Sequence, residues 1–265
     1  LLTNETSAED TVGTDVFQAF NSNGFTVGSH GRTNENNRDY VSWTFRKAEK
    51  FFDVVTYTGT GDSAPGQTVA HNLGSTPGFM IIKRTDLTSD WSCYHSGLTS
   101  NEYFLRLNRD NATLEDGTVF PSAPTDSNFY VRADRTNING GTFVAYLFAS
   151  DAGGFGDDGS ESIIKCGSYT GNGNSNGPEV NLGFEPQFLM VKNTTGGNWV
   201  IADTMRSFGV EDMASLYPNT ANAESTIIAG KGITPTATGF KCIDGNATTN
   251  QNSASHIYIA IRRPM

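Results

Sequence analysis

At 265 residues the chain has room for two domains with cores of their own, and its 36% hydrophobic content, 17% charged residues and 29 glycines suit short strands and many turns rather than long helices. A net charge of −10 argues against nucleic acid as a partner, because affinity for a phosphate backbone comes mainly from Lys and Arg, and nothing gathers the 18 basic residues into a patch. No apolar run approaches the ~20 residues of a membrane span and no signal-peptide pattern opens the chain, so membrane insertion is not expected either.

The chain opens on Leu1-Leu2-Thr3-Asn4, which lines up with Leu105-Arg106-Leu107-Asn108 and with Leu216-Tyr217-Pro218-Asn219, at offsets of 104 and 111. Phe25-Thr26-Val27 repeats at the same offsets as Phe129-Tyr130-Val131 and Phe240-Lys241-Cys242. Thr33-Asn34 returns as Thr136-Asn137 and Thr249-Asn250, each followed by an apolar strand at 41–45, 144–148 and 257–261. A front half then appears twice. Tyr57-Thr58-Gly59 matches Tyr169-Thr170-Gly171, and Asn72-Leu73-Gly74, Pro77, Phe79 to Lys83 and Trp91 match Asn181-Leu182-Gly183, Pro186, Phe188 to Lys192 and Trp199. Internal repetition of this kind sets the organisation before any other reading.

The register gives residues 1–50 as the C-terminal half of a preceding repeat, 51–155 as a first complete unit and 156–265 as a second. An upstream part of the chain is therefore expected. Units of about 105 residues are the size of small domains, not of solenoid repeats, which run ~20–50 residues.

Within the first complete unit, strands are expected at 53–57, 78–83, 91–95, 103–107, 128–132 and 142–148, separated by Gly, Asn, Asp, Ser and Pro. The run Phe79 to Ile82 is apolar at every position, which predicts cover on both faces. The segments around Tyr103 and Phe129 are mixed, as in one-sided sheet strands. Short antiparallel strands without a helical period predict an all-β fold of tandem antiparallel β-sandwich (jelly-roll-like) units, with a barrel as the alternative. The best helical stretch, 204–216, is interrupted by Gly209 and is read as irregular. The Gly/Asp-rich stretch 151–160 reads as a flexible linker between units, whereas the short joint 46–50 should hold the leading half-unit tightly against its neighbour.

Chemistry is sparse. His30 and His71 lie in turns, His95 ends a strand where the second unit has Asp203, and His256 begins one; no nucleophile, base and orienting acid can be assembled from them. No catalytic residue, cofactor site or enzymatic role is therefore expected. Asp151, Asp157, Asp158 and Glu161 could face a Ca²⁺ ion, but their spacing departs from the Asp-x-Asp-x-Asp-Gly loop, and a solvated acidic linker is the simpler reading; no metal is assigned. Gly59-Thr60-Gly61 and Gly171-Asn172-Gly173 lack the Lys-Ser/Thr of a phosphate loop and read as turns. Cys93, Cys166 and Cys242 read as buried free thiols. That leaves binding. Trp91, Trp199 and Tyr94 are the candidates for stacking on a sugar ring, against the alternative that they belong to the core beside the apolar strand.

The run Tyr57-Thr58-Gly59 with His71-Asn72-Leu73-Gly74-Ser75-Thr76-Pro77-Gly78-Phe79-Met80-Ile81-Ile82-Lys83-Arg84 and Asp90-Trp91-Ser92-Cys93-Tyr94-His95 resembles a repeat domain of tailed-phage tail-fibre or virion structural proteins, often from marine phages. So do Gly24-Phe25-Thr26-Val27-Gly28, Tyr40-Val41-Ser42-Trp43 and Asn198-Trp199-Val200-Ile201-Ala202-Asp203. The resemblance covers nearly the whole chain. It implies a virion component, in a tail fibre or host-adhesion part, forming a homo-oligomer (a trimer first), with other virion proteins and a host cell-surface glycan as partners. Its alternatives are a capsid-exterior decoration or connector and, further off, a glycan-degrading tailspike enzyme. Where relatives carry a second Trp near the end of the back-half strand, this chain has Phe45, Phe148 and Ile261.

Overall fold

The two apolar runs become interior strands of matching sheets. The structure is a computed structural model that describes residues 1–10, 13–208, 213–227 and 232–262. Over these the protein is all-β, built from antiparallel sheets with three single-turn helices.

The leading segment holds β1 (Phe17–Asn21), β2 (Gly24–Val27) and α1 (Gly31–Asn34). The first complete unit holds β3 (Phe52–Thr58), β4 (Gln67–Ala70), β5 (Pro77–Arg84), β6 (Ser92–His95), β7 (Tyr103–Arg106), β8 (Leu114–Glu115), β9 (Asn128–Val131), α2 (Asp134–Asn137) and β10 (Thr142–Ala149). The second holds β11 (Ile164–Thr170), β12 (Glu179–Asn181), β13 (Pro186–Asn193), β14 (Trp199–Asp203), β15 (Met213–Ser215), β16 (Ser225–Ile227), β17 (Ile233–Thr236), β18 (Gly239–Cys242), α3 (Ala247–Asn250) and β19 (Ser255–Arg262).

The main sheet of the first unit runs β3-β10-β5-β6-β7-β8 and that of the second β11-β19-β13-β14, so equivalent strands take equivalent places. A smaller sheet, β4-β9 or β12-β18-β17, shares a core with each. Gly74 and Gly183, the glycines of the two Asn-Leu-Gly motifs, both sit at positive φ (68° and 85°), a conformation in which any side chain is strained.

β13 shows why its sequence is apolar at successive positions. Leu189 and Val191 join the core beneath the smaller sheet, with Tyr169, Phe240 and Tyr258. Phe188 and Met190, pointing the other way, join a core shared with the first unit, with Phe79, Ile81 and Phe148. A strand that packs against its own sandwich on one face and a neighbouring unit on the other has no polar face. β5 is buried the same way from Pro77 to Lys83.

Three expectations change. Residues 41–45 carry the spacing of β10 and β19 but pair with no described strand; Val41, Trp43 and Phe45 are half-buried and Ser42 and Thr44 exposed. β10 has β3 and β5 on its two flanks, and no described strand takes either place here, so the ladder is missing. The stretch 151–160 does not separate the units as a spacer. It turns back on itself through Gly154 N–H to Gly159 O (2.8 Å) and a bridge between Phe155 and Glu161, while the units pack face to face. Of the irregular stretch 204–216, residues 209–212 lie outside those described; its ends form a 3-10 turn at Thr204–Arg206 and β15.

Candidate functional site

Lys83 and Lys192 end the two apolar runs, and both are wholly buried. A buried ammonium needs acceptors for its protons, and backbone carbonyls supply them. Lys83 Nζ donates to Arg84 O (2.6 Å) and reaches into the leading segment to Thr6 O (3.3 Å). Lys192 Nζ donates to Gly197 O and reaches into the first unit to Asp110 O (3.2 Å). Burial pulls both ammonium groups below their ordinary pKa, Lys192 to about 8.

The tryptophans repeat the motif. Trp91 Nε1–H donates to Leu2 O and Glu5 O, both at 3.1 Å, and Trp199 Nε1–H to Arg106 O at 3.0 Å. Leu2 and Arg106 are equivalent positions, as are Thr6 and Asp110. A third strap runs beside them, Glu9 N–H to Thr85 O (2.7 Å) and Thr113 N–H to Thr194 O (2.9 Å). Each Trp is fixed within its own unit by an Asn that accepts its backbone N–H at 3.0 Å, Asn108 for Trp91 and Asn219 for Trp199. Each complete unit therefore grips the backbone of the one before it with the same Lys, Trp and main-chain strap.

A second set of contacts runs the other way round. His95 Nε2–H donates to Tyr258 O (3.0 Å), its Nδ1 accepting from Gly97 N–H (2.9 Å), which assigns the neutral tautomer; burial lowers its pKa to about 4, against the opposing pull of the Tyr258 carbonyl. Asp203, at the equivalent place in the second unit, accepts from Trp43 Nε1–H (3.1 Å) of the leading segment and from Arg206. Phe45 meets Phe148 of one unit and Phe188 of the other. Each of the three segments thus touches the other two, and they surround an apolar cavity of about 370 Å³ to which Thr3, Leu107 and Pro218, one equivalent residue from each, all contribute.

The stacking candidates belong to this packing. Trp91, Trp199 and Tyr94 are 4%, 2% and 7% exposed and lie in the shared core, Trp199 against Phe79, Trp91 against Tyr146 and Tyr94 against Phe120. Enclosed rings offer no face to a sugar, so the core alternative describes their place. The acidic linker residues disperse to separate partners: Asp151 to Lys165 (3.3 Å), Asp158 to Ser160, Glu161 to Arg262. Among the described residues no group of three or more His, Cys, Asp or Glu side chains is placed to hold a metal ion. All three cysteines are free and buried, and burial raises each thiol's pKa, that of Cys242 to about 11. The residues that the sequence reading missed are Lys83 and Lys192; their recurrence at the end of both apolar runs, beside a recurring Trp, was the available signal.

No curated protein and no solved structure matches the chain. A family model does, over residues 1–263, and the chain accordingly belongs to the family described as Domain of unknown function (DUF7483).

Proposed function

We propose that this chain is a structural segment of a phage virion protein, in a tail fibre or host-adhesion component, built by repetition of one sandwich unit. The observation that carries the reading is the repeated grip of Lys, Trp and main-chain strap, which makes successive units one block without a dedicated linker. The side chains with chemical potential, His95, Asp203 and the two lysines, are engaged in holding units together. The resemblance of the repeat to phage structural proteins supplies the setting, and with it a homo-oligomer, a trimer first, among other virion proteins. The reading assigns no catalytic step.

Antibodies raised against the purified chain should label intact virions at the tail, and the purified protein should bind host cells or a glycan array. Absence from the particle would overturn the proposal. Labelling of the capsid without host binding would replace it with a decoration role. Light scattering should give a mass of three chains; a monomer mass would remove the oligomer from the reading.

A further inference from the structure

The grip that recurs at two seams has its acceptors laid out a third time. Glu5 N–H donates to Leu2 O and Arg109 N–H to Arg106 O, both at 3.3 Å, and Thr220 N–H donates to Tyr217 O at 3.0 Å, so three equivalent turns exist. The first two carbonyls also hold a tryptophan N–H; among the described residues no tryptophan reaches the third. Ala221 stands where Thr6 and Asp110 receive a lysine, and Glu224 where Glu9 and Thr113 donate to a threonine carbonyl, yet among the described residues neither has that backbone partner.

The leading segment, whose Trp43 and Phe45 line one cavity with Tyr217, lacks partners too. Phe25 is 38% exposed, whereas its counterparts Phe129 and Phe240 are 0% exposed, lying on strands paired with β4 and β12. Among the described residues, 41–45 lack the two flanking strands that β10 and β19 have. Asn4 occupies the place of Asn108 and Asn219, which accept a tryptophan backbone N–H, and Asn34 that of Asn137 and Asn250, which accept the N–H of Thr60 and Asn172; among the described residues neither has its equivalent donor. Every missing partner belongs to one half of the repeat, the half containing β3 to β6.

We propose that this position takes a front half-unit of the same repeat, joined ahead of Leu1. Its apolar strand lies beside 41–45, its lysine and tryptophan bond the carbonyls of Ala221 and Tyr217, and the three segments become three complete units closed around the central cavity. A second copy of this chain does not supply it, because both of its own front halves are already engaged in their sheets.

Hydrogen exchange on the chain as it stands is the first test. Amides 41–45 should exchange at least about 100-fold faster than their counterparts 144–148 and 257–261, since they belong to no ladder; equal protection would overturn the proposal. The second test joins a copy of residues 51–104 directly ahead of Leu1, which keeps the register in which Phe104 precedes Leu105. The fused chain should protect 41–45 at least about 100-fold and lose binding of an apolar dye to the Phe17, Phe20 and Phe25 surface. Asn4→Ala should lower the melting temperature of the fused chain and leave that of the unfused chain unchanged. A protease-sensitive added segment with 41–45 still unprotected, an Asn4→Ala variant without effect in the fusion, or an unfused chain that already buries Phe25 in a dimer would each overturn it.

Discussion

His95 and Asp203 occupy the same place in successive units and meet the same demand, a polar partner across a buried seam, with opposite chemistry. At the seam between the two complete units a neutral imidazole bonds the Tyr258 carbonyl, and β5 approaches so closely that Gly78 is needed: a β-carbon there would lie 2.5 Å from Ser150 Cβ and 2.8 Å from Cys166 Cβ. At the seam with the leading segment an anion holds Trp43 and Arg206, the guanidinium also lying 5.4 Å from the Trp43 ring, and the residue equivalent to Gly78 is Gln187, half-buried. The difference teaches that the repeat conserves the backbone contacts of its seams while leaving the side chains that complete them free to vary.

The charged seam should suffer most from losing its anion. In Asp203→Ala the Arg206 cation, 10% exposed, loses its 2.6 Å partner and keeps, among the described residues, only the more exposed Glu224 as an ionic partner. Breaking a buried pair from one side costs about 3–5 kcal/mol, read as a fall in the urea midpoint. The double variant Asp203→Ala/Arg206→Met removes the orphaned charge and should recover a substantial part. A single variant as stable as wild type would show that this seam is not held by its ion pair.

The neutral seam should instead be sensitive to acid. The folded His95 has a pKa of about 4 against 6.5 for the free side chain. Between those values the unfolded chain takes up a proton that the folded one refuses, so the stability carried by the neutral ring is complete above pH 6.5 and is lost as pH falls through 4. The loss is on the order of 3 kcal/mol. His71 and His256, also held below their ordinary values by burial, add to the slope in wild type and in variants alike. His95→Gln should therefore flatten the stability curve between pH 6.5 and 4 without removing its acid limb, and an unchanged curve would take the effect away from this seam.

Close approach gives the next effect in size. Gly78→Ala forces a β-carbon against Ser150 and Cys166, and Ser150 cannot swing aside freely because its Oγ bonds both the carbonyl and the N–H of Cys166. The expected cost is about 1–3 kcal/mol. Gln187→Ala at the other seam should stay within about 0.5 kcal/mol. If the two denaturation midpoints shift equally, the seams are equally tight and the comparison fails.

The repeat itself was legible because it is written in side chains: two apolar runs ending in Lys, two tryptophans, and an Asn-Leu-Gly whose Gly takes a positive φ in both copies. The expected strands of the first unit all appear within a residue of their predicted ends, alongside the short β4 and β8 that were not expected, and the both-sided burial of Phe79 to Ile82 follows from their composition. What the sequence did not show is where the lysines and indoles go. Their partners are the carbonyls of Leu2, Thr6, Arg106 and Asp110, and a carbonyl is present at every residue whatever its side chain. The same reason hid the closing of three segments around one cavity. Residues 41–45 show the converse: an alternating pattern records which face is apolar, but a strand needs neighbours, and its pattern does not say whether they are there.

The outer end of the charged seam should respond only weakly to the loss of its indole. Trp43→Phe removes one N–H donor to Asp203 while leaving both Arg206 bonds in place, and it keeps an aromatic ring edge-on to Phe188, whose centroid lies 5.9 Å from that of Trp43. Because Trp43 is only half-buried, water can replace the lost donor, and the cost should be about 1 kcal/mol. Trp91→Phe removes an indole N–H from a 4%-exposed site and takes one donor from each of Leu2 O, which still accepts from Glu5 N–H, and Glu5 O, so it should cost more by about 1–2 kcal/mol. Urea denaturation of the two variants side by side decides the point. If Trp43→Phe proves the more damaging, the seam at the leading segment depends on its indole rather than on the Asp203–Arg206 pair.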